Sequence, residues 1–377
     1  MKLLFISNIA GRQIGNFTIP SIIAAKKLNI EFHFAANFSN TTSEQLQIDE
    51  NKYGIKCHHI DFDRSPIRLS VFQSYKNLKR LIEKENFDII HCNTPIGGLL
   101  GRICSKKCRI NKVLYTAHGF HFYKGKNKIL NIIYKWIEKS LAKQTDGIIT
   151  MNKEDYAAAQ KFKLRNNGKC YFIHGVGIKT NIDSVALMRE NSIRIEFGFS
   201  NQDIICISLG GLVKNKNYET SIRAIADLKD SRVKYLICGK GPLLSQLETL
   251  VLGLGLEDQV FFLGHRSDST ELLNESNIFL FSTYQEGLSR ALMESMAMEL
   301  PCVVSNIRGN NDLINNGEGG YLCNPHNYKE FSKALNLLIH DEDLRRTQGQ
   351  RNKDVIKIYD EENVKKEMQE IYVEMFS

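Results

Sequence analysis

The stretch NIFLFSTYQEGLSRALMESMAM, residues 277–298, changes period part-way along. NIFLFST is a short apolar run rich in strand-forming residues, RALMESMAM has helical spacing, and YQEG is the turn between them. The same passage from strand to helix recurs along the chain. KLLFIS (2–7), EFHFAAN (31–37), KCHHIDF (56–62), FDIIHCN (87–93), KVLYTAH (112–118), DGIITMN (146–152) and KCYFIHG (169–175) read as one series of strands. DIICISLGG (203–211), VKYLICGKG (233–241), QVFFLGH (259–265), NIFLFST (277–283), PCVVSN (301–306) and GGYLC (319–323) form a second. Strands alternating with helices predict a parallel, doubly wound α/β sheet, and two series predict two such domains. The expected division is 1–175 and 176–360, with HGVGIKTNID (174–183) as linker. The last helix, within 361–377, has no strand to serve and could pack on either domain. Open sheets of this kind bind ligands beyond the carboxyl ends of their strands, so two facing sheets would place the chemistry in strand-end loops along a cleft.

At 377 residues and 42% hydrophobic content, the chain has the length and apolar content for two globular cores. No stretch has the roughly 18 uninterrupted apolar residues of a membrane span. The N-terminus reads as strand and loop rather than a secretory leader, and the nine cysteines form no paired CxxC, so a cytoplasmic protein is expected. Cys104 and Cys108 stand four apart on a helix but have no His or Cys partner nearby in sequence to make a metal site. Residues 1–175 carry 28 Lys and Arg against 13 Asp and Glu, net +15, whereas residues 176–377 carry 22 against 29, net −7. That asymmetry points the first half toward a polyanion or an anionic membrane.

In the quoted stretch, Glu286 lies in the strand-end loop and Glu294 about one turn inside the helix. Eight helical residues span about 12 Å, too far for two carboxylates to flank one glycosidic bond. They read instead as anchors on one extended ligand. Between them the segment Gly287, Leu288, Ser289, Arg290 opens a helix, whose N–H groups and dipole suit a phosphate. In SLGGLVKNKNYE (208–219), Gly211, Lys214 and Lys216 stand where backbone N–H groups and ammonium charge could meet an anion. CGKGP (238–242) starts a GxGxxG with Gly239 and Gly241, but Leu244 replaces the third glycine, which argues against a nicotinamide dinucleotide. Gly264, His265 and Arg266 end another strand. In the first half, Gly11, Arg12 and Gly15 follow the first strand, and YTAHGFHFYKGK (115–126) carries His118 and His121. In KGKNKILNIIYKWIEKSLAK (124–143), Lys124, Lys128, Lys135, Lys139 and Lys143 fall on one helical face and Ile129, Ile133, Trp136 and Ile137 mark another, a pattern suited to anionic lipid.

As a set, EGLSRALMESMA, GGLVKNKN, CGKGP, FLGHR and PCVVSNIRGNNDLI resemble, in order, the retaining family 4 glycosyltransferases of the GT-B fold. HCNTPIGGLLGR, YTAHGFHFYKG and MNKEDY resemble the branch that builds bacterial exopolysaccharide and capsule. The resemblance covers nearly the whole chain. It implies that Glu286 meets the donor sugar, Glu294 the ribose, Lys216 the donor diphosphate, and His118 the donor sugar from the first domain. It also implies that Gly264 and His265 border the base, that Gly11 and Gly15 allow close approach of the first loop, and that the final helix returns to the first domain. Family members often carry arginine where this chain has Gly211, so either Arg290, ahead of Lys214, supplies the second cation or diphosphate binding rests on Lys216 and the helix N-terminus. The implied reaction is retaining and needs no metal or cofactor. Its donor is a nucleotide sugar, UDP-linked in most of this branch, and its acceptor a polyprenyl-diphosphate-linked or oligosaccharide chain. Nucleic acid is not an expected partner. The expected location is peripheral, at the inner face of the plasma membrane. The competing readings are a sugar-nucleotide epimerase of the same fold and a non-catalytic polyanion-binding protein.

Overall fold

The computed structural model describes residues 1–63, 70–182 and 192–376. Asp183, the last residue of the expected linker, lies outside them, as does Ser377. All thirteen expected strands form. The first seven are β1 (Lys2–Ile9), β2 (Glu31–Asn37), β3 (Lys56–His59), β4 (Ile89–Asn93), β5 (Lys112–Ala117), β6 (Gly147–Thr150) and β7 (Lys169–Phe172). They make one parallel sheet in the order β3-β2-β1-β4-β5-β6-β7. The other six are β8 (Ile204–Leu209), β9 (Val233–Cys238), β10 (Val260–Gly264), β11 (Ile278–Phe281), β12 (Cys302–Ser305) and β13 (Gly320–Cys323), in the order β10-β9-β8-β11-β12-β13. They too pair in parallel.

Helices cover both faces of such sheets, so the strands are apolar throughout rather than alternating. β11 shows this. Phe279 and Phe281 enter the core on one face with Ile205, Ile207 and Met296, while Ile278 and Leu280 enter the other with Cys206, Tyr235 and Phe331.

The chain divides into two compact units, residues 1–177 with 361–377 and residues 178–360. The helix Glu361–Phe376 belongs to the first unit, where it packs on the helix Ile19–Lys27 and buries Val364, Met368, Ile371, Tyr372, Met375 and Phe376. Each side chain of this kind contributes up to about 1.5–3 kcal/mol when buried. Tyr372 also reaches into the sheet, its hydroxyl 2.7 Å from His91 Nδ1, and His91 Nε2 lies 2.7 Å from the Thr116 hydroxyl.

Candidate active site

In each sheet the chain winds outward one way and then returns to wind the other. The switch lies between β1 and β4 in the first unit and between β8 and β11 in the second. Loops at a switch diverge to opposite faces and leave a crevice at the strand ends.

In the second unit this rule brings together motifs seventy residues apart. The loop after β8 ends in a tight turn, Lys214–Lys216, and the loop after β11 carries Glu286. Lys216 Nζ lies 2.7 Å from Glu286 Oε1, with the two side chains 21% and 15% exposed. The ammonium also sits 4.8 Å from the centre of the Phe281 ring, and the Thr283 hydroxyl donates to the same Glu286 oxygen. Backbone zips the loops together: Tyr284 N–H donates to Asn215 O, and the side-chain amides of Asn215 and Asn217 donate to Gln285 O and Ser282 O. Asn217 adopts φ +52°, a left-handed conformation asparagine tolerates better than most residues. Arg308, which follows β12, donates from Nε to Glu286 O.

The helix behind this loop runs Arg290–Ala297, starting where the sequence reading places RALMESMAM. Leu288 packs on the core instead of standing at the tip, and Ser289 is the N-cap, its hydroxyl accepting the Leu292 N–H. That leaves the N–H groups of Arg290 and Ala291 without intrahelical partners. Glu294 lies one turn in, and its Oε1 is 2.8 Å from Arg290 Nε. This pair is exposed and i,i+4, worth about 0.3–0.5 kcal/mol, so a bound anion could draw Arg290 away cheaply.

The remaining residues expected here have mixed placements. A side chain at Gly211 would meet only the Lys240 carbonyl, at 3.5 Å, so no crowding demands glycine there. Gly239 has a structural reason: a Cβ would collide with the Gly210 carbonyl, so glycine lets the loops after β8 and β9 touch. Lys214 and His265 are exposed, and Gly264 takes φ +67°. Arg266 is already occupied: its guanidinium forks onto Glu196 and Asp268, which raise its pKa. Its charge serves to tie the helix Ser192–Phe197 to the strand-end turn.

In the first unit the switch point holds a cavity of about 310 Å³, lined among others by Phe5, Gly11, Gly15, Phe17, Asn93 and His118. Asp49 pins its rim by accepting the Ile14 N–H. His118 Nε2 lies 3.0 Å from Asn93 Oδ1, and burial lowers the imidazole pKa to about 4. Gly11 and Gly15 reach the cavity, but exposed Arg12 is not part of its lining. His121 turns away as well, its ring 5.4 Å from that of Tyr134, so the two histidines of one loop do not converge. Asn93 was not singled out by sequence, although its place at the end of β4 meets the strand-end criterion.

Residues 17–152 match the family described as "Glycosyl transferase 4-like", and residues 189–355 match "Glycosyl transferases group 1". A curated relative, the "Putative glycosyltransferase EpsD" of Bacillus subtilis (strain 168), is 33% identical over 376 residues, covering 98% of this chain and 96% of its own. The chain is a glycosyltransferase. An α-1,3-galactosyltransferase of Escherichia coli, described as acting from UDP-Gal on α-D-GlcNAc-diphosphoundecaprenol, is 29% identical over 72% of this chain and 71% of its own. Among solved structures, Anabaena Alr3699/HepE in complex with UDP superposes with a TM-score of 0.78 at 18% identity, over 99% of this chain and all of that one. The fold is GT-B, and the relatives include enzymes of bacterial capsular polysaccharide biosynthesis.

The glycosyltransferase carries one more exposed feature. The basic helix runs Lys128–Ala142, shorter than expected. Lys124 therefore precedes it and Lys143 caps it. Ile129 (69% exposed), Ile132 (69%), Ile133 (46%) and Trp136 (68%) stand in solvent, with Lys128, Lys135 and Lys139 along one flank. Ile137, expected on that stripe, is half-buried, and Ile132 takes its place. The helix is held from its other side by polar groups. Arg102, fully buried, lies 2.9 Å from Glu138 and stacks 3.9 Å from the centre of the Tyr115 ring. Among the described residues no helix is long and apolar enough to cross a membrane.

Proposed function

We propose that the glycosyltransferase moves a sugar from a UDP-sugar to a polyprenyl-diphosphate-linked or nascent polysaccharide acceptor, with retention and without a metal ion. The observation that carries this is the meeting of Lys216 and Glu286 at the switch point of the second unit, next to a helix start whose first N–H groups have no intrahelical partners. The β-phosphate seats on the Arg290 and Ala291 N–H groups and on Lys216, whose ammonium has donors left after Glu286 takes one. Arg290 is the second cation, standing in for the side chain that Gly211 lacks. Glu294 takes the ribose hydroxyls, Glu286 those of the sugar, and Gly264 and His265 border the base. In the first unit, Gly11 and Gly15 let the loop after β1 come close to a ligand, and His118 meets a sugar there.

As the bond from the anomeric carbon to the β-phosphate oxygen breaks, its electron pair stays on that oxygen. The charge appears where cations and N–H dipoles are already oriented. The acceptor oxygen bonds to the anomeric carbon on the same face, and its proton passes to the departing phosphate oxygen. Glu286 forms no covalent bond in this scheme. The acceptor chemistry draws support from the relative described as acting on diphosphoundecaprenol, and the UDP donor from the HepE complexes. The exposed helix Lys128–Ala142 fits peripheral attachment to an anionic leaflet at the cytoplasmic face, with Trp136 at the interface.

The test is incubation of labelled UDP-sugars with polyprenyl-diphosphate-linked N-acetylglucosamine, with and without a divalent-metal chelator. Label entering the organic phase in both conditions, with α-configured product, supports the scheme. Isomerised free UDP-sugar would favour an epimerase, and loss of transfer on chelation would overturn the metal-independent part.

A further inference from the structure

β4 and β5 lie side by side, with Asn93 paired in register with Thr116. Side chains two apart on a strand share a face, so His91 and Asn93 project on the same side as Thr116 and His118. Two cross-strand polar pairs result, His91–Thr116 and Asn93–His118. In the first, both ring nitrogens are satisfied, by Thr116 and Tyr372. The second is incomplete. Asn93 is 3% exposed, yet its Nδ2 has no partner, and neither has His118 Nδ1. Leaving buried polar atoms unpaired destabilises a fold, and such atoms in a native structure call for a ligand or another explanation.

The backbone beside the pair is strained. Thr94 adopts φ +62°, an outlier for a β-branched residue. Asn8 holds it there, accepting from the Thr94 hydroxyl at 2.7 Å and donating its own N–H to that hydroxyl at 3.0 Å. The strain turns the chain sharply out of β4 into the helix Pro95–Lys107 and fixes Asn93 at the cavity.

We propose that Asn93 is a positioning residue for transfer: its carbonyl takes the Nε2 proton of His118, so that His118 Nδ1 accepts from one sugar hydroxyl while Asn93 Nδ2 donates to a second sugar oxygen. One acceptor and one donor in a single cavity match a polyol. A phosphate, which offers only acceptor oxygens, would meet the Nδ1 lone pair unfavourably. Phe17, 56% exposed with its ring centroid 5.0 Å from that of His118, is the cover the sugar displaces. The titratable group facing His118 is His91, itself held neutral by burial, with a pKa of about 3. The sugar belongs either to the donor or to the acceptor. The inference rests on the transferase reading for the identity of its ligand, but its geometric part is tested without turnover.

Nitrogen-15 NMR of the wild-type imidazole tests that part. His118 is expected to carry its proton on Nε2 with Nδ1 bare from pH 5.5 to 8, and to become a mixture of tautomers in Asn93→Ala. A proton resident on Nδ1 in the wild type would overturn the proposal. Kinetics with UDP-glucose, UDP-galactose and polyprenyl-diphosphate-linked N-acetylglucosamine test the rest. Asn93→Ala is expected to lower kcat/KM at least about ten-fold, since it removes both the amide donor to the sugar and the carbonyl that orients His118. The loss falls in the donor KM if the sugar is the donor's and in the acceptor KM if it is the acceptor's. Asn93→Asp, which keeps the acceptor but adds charge, favours the imidazolium and moves the acid limb of the pH profile upward. Wild-type kinetics in Asn93→Ala, or an unmoved acid limb in Asn93→Asp, would also overturn it. A wild type that transfers no sugar but shows the expected tautomer would sink the transferase reading instead.

Discussion

Changing Ile132 and Trp136 together to serine should detach the protein from anionic vesicles without unfolding it. Full burial of a large apolar side chain yields about 1.5–3 kcal/mol. The two residues are 69% and 68% exposed, so each has roughly 1–2 kcal/mol left to gain from a lipid interface. Losing both removes about 2–4 kcal/mol, a fall in partitioning of roughly 30- to 1,000-fold. Lys128, Lys135 and Lys139 add about 1 kcal/mol each at an anionic surface, and that part is screened by salt. Co-sedimentation with phosphatidylserine-containing vesicles at low and high salt separates the two terms. The serine variant should bind weakly at both salt concentrations. A triple Lys→Glu variant should lose most of the low-salt binding. Because these side chains contact little in the protein, the melting temperature should stay near that of the wild type, within the effect of about 0.5 kcal/mol. Wild-type sedimentation of the serine variant would remove this helix as the membrane contact, and so would a loss of binding that appears only together with a lowered melting temperature.

Lys216→Ala should lower kcat by about 10²–10³, the usual effect of removing one preorganised donor to developing charge, while circular dichroism remains native. A wild-type kcat would remove Lys216 from the site. Arg102→Met strands Glu138 against Tyr115 and should cost about 3–5 kcal/mol in chemical denaturation, whereas Arg102→Met with Glu138→Leu should recover most of that loss. Equal destabilisation in the single and double variants would show that the pair is not what holds the helix. Burial depresses the pKa of His91 to about 3 and that of His118 to about 4. The unfolded state therefore binds more protons between these values and the ordinary histidine range near 6.5. Stability should be full above that range and fall as pH drops through it, by up to about 1.4 kcal/mol per unit for each histidine. A His91→Gln variant whose unfolding curve keeps the full wild-type slope would exclude His91 as a source.

The strands were legible because both faces of each sheet are covered, which makes every strand a short apolar run such as IFLF in β11. The loops that carry the candidate site were picked out by one rule, that such sheets bind ligands at their strand ends. The contact between Lys216 and Glu286 needed strand order as well: only the adjacency of β8 and β11 turns two separate loops into one site. Periodicity found the helix near residue 130 but not its docking face. The buried Arg102–Glu138 pair decides that face, and it leaves Ile132 outside and Ile137 partly inside. Arg266 read as a ligand because nothing local announces Glu196, seventy residues earlier. Asn93 was passed over because a polar residue before Thr-Pro reads as an ordinary helix start. Its unpaired amide appears only when β4 and β5 lie together.

In a crystal structure with UDP bound, the β-phosphate should lie on the N–H groups of Arg290 and Ala291, with Lys216 Nζ within hydrogen-bond distance and the ribose on Glu294. A nucleotide seated at the strand ends of the first unit instead, with the tip at Ser289 and Arg290 untouched, would contradict this placement.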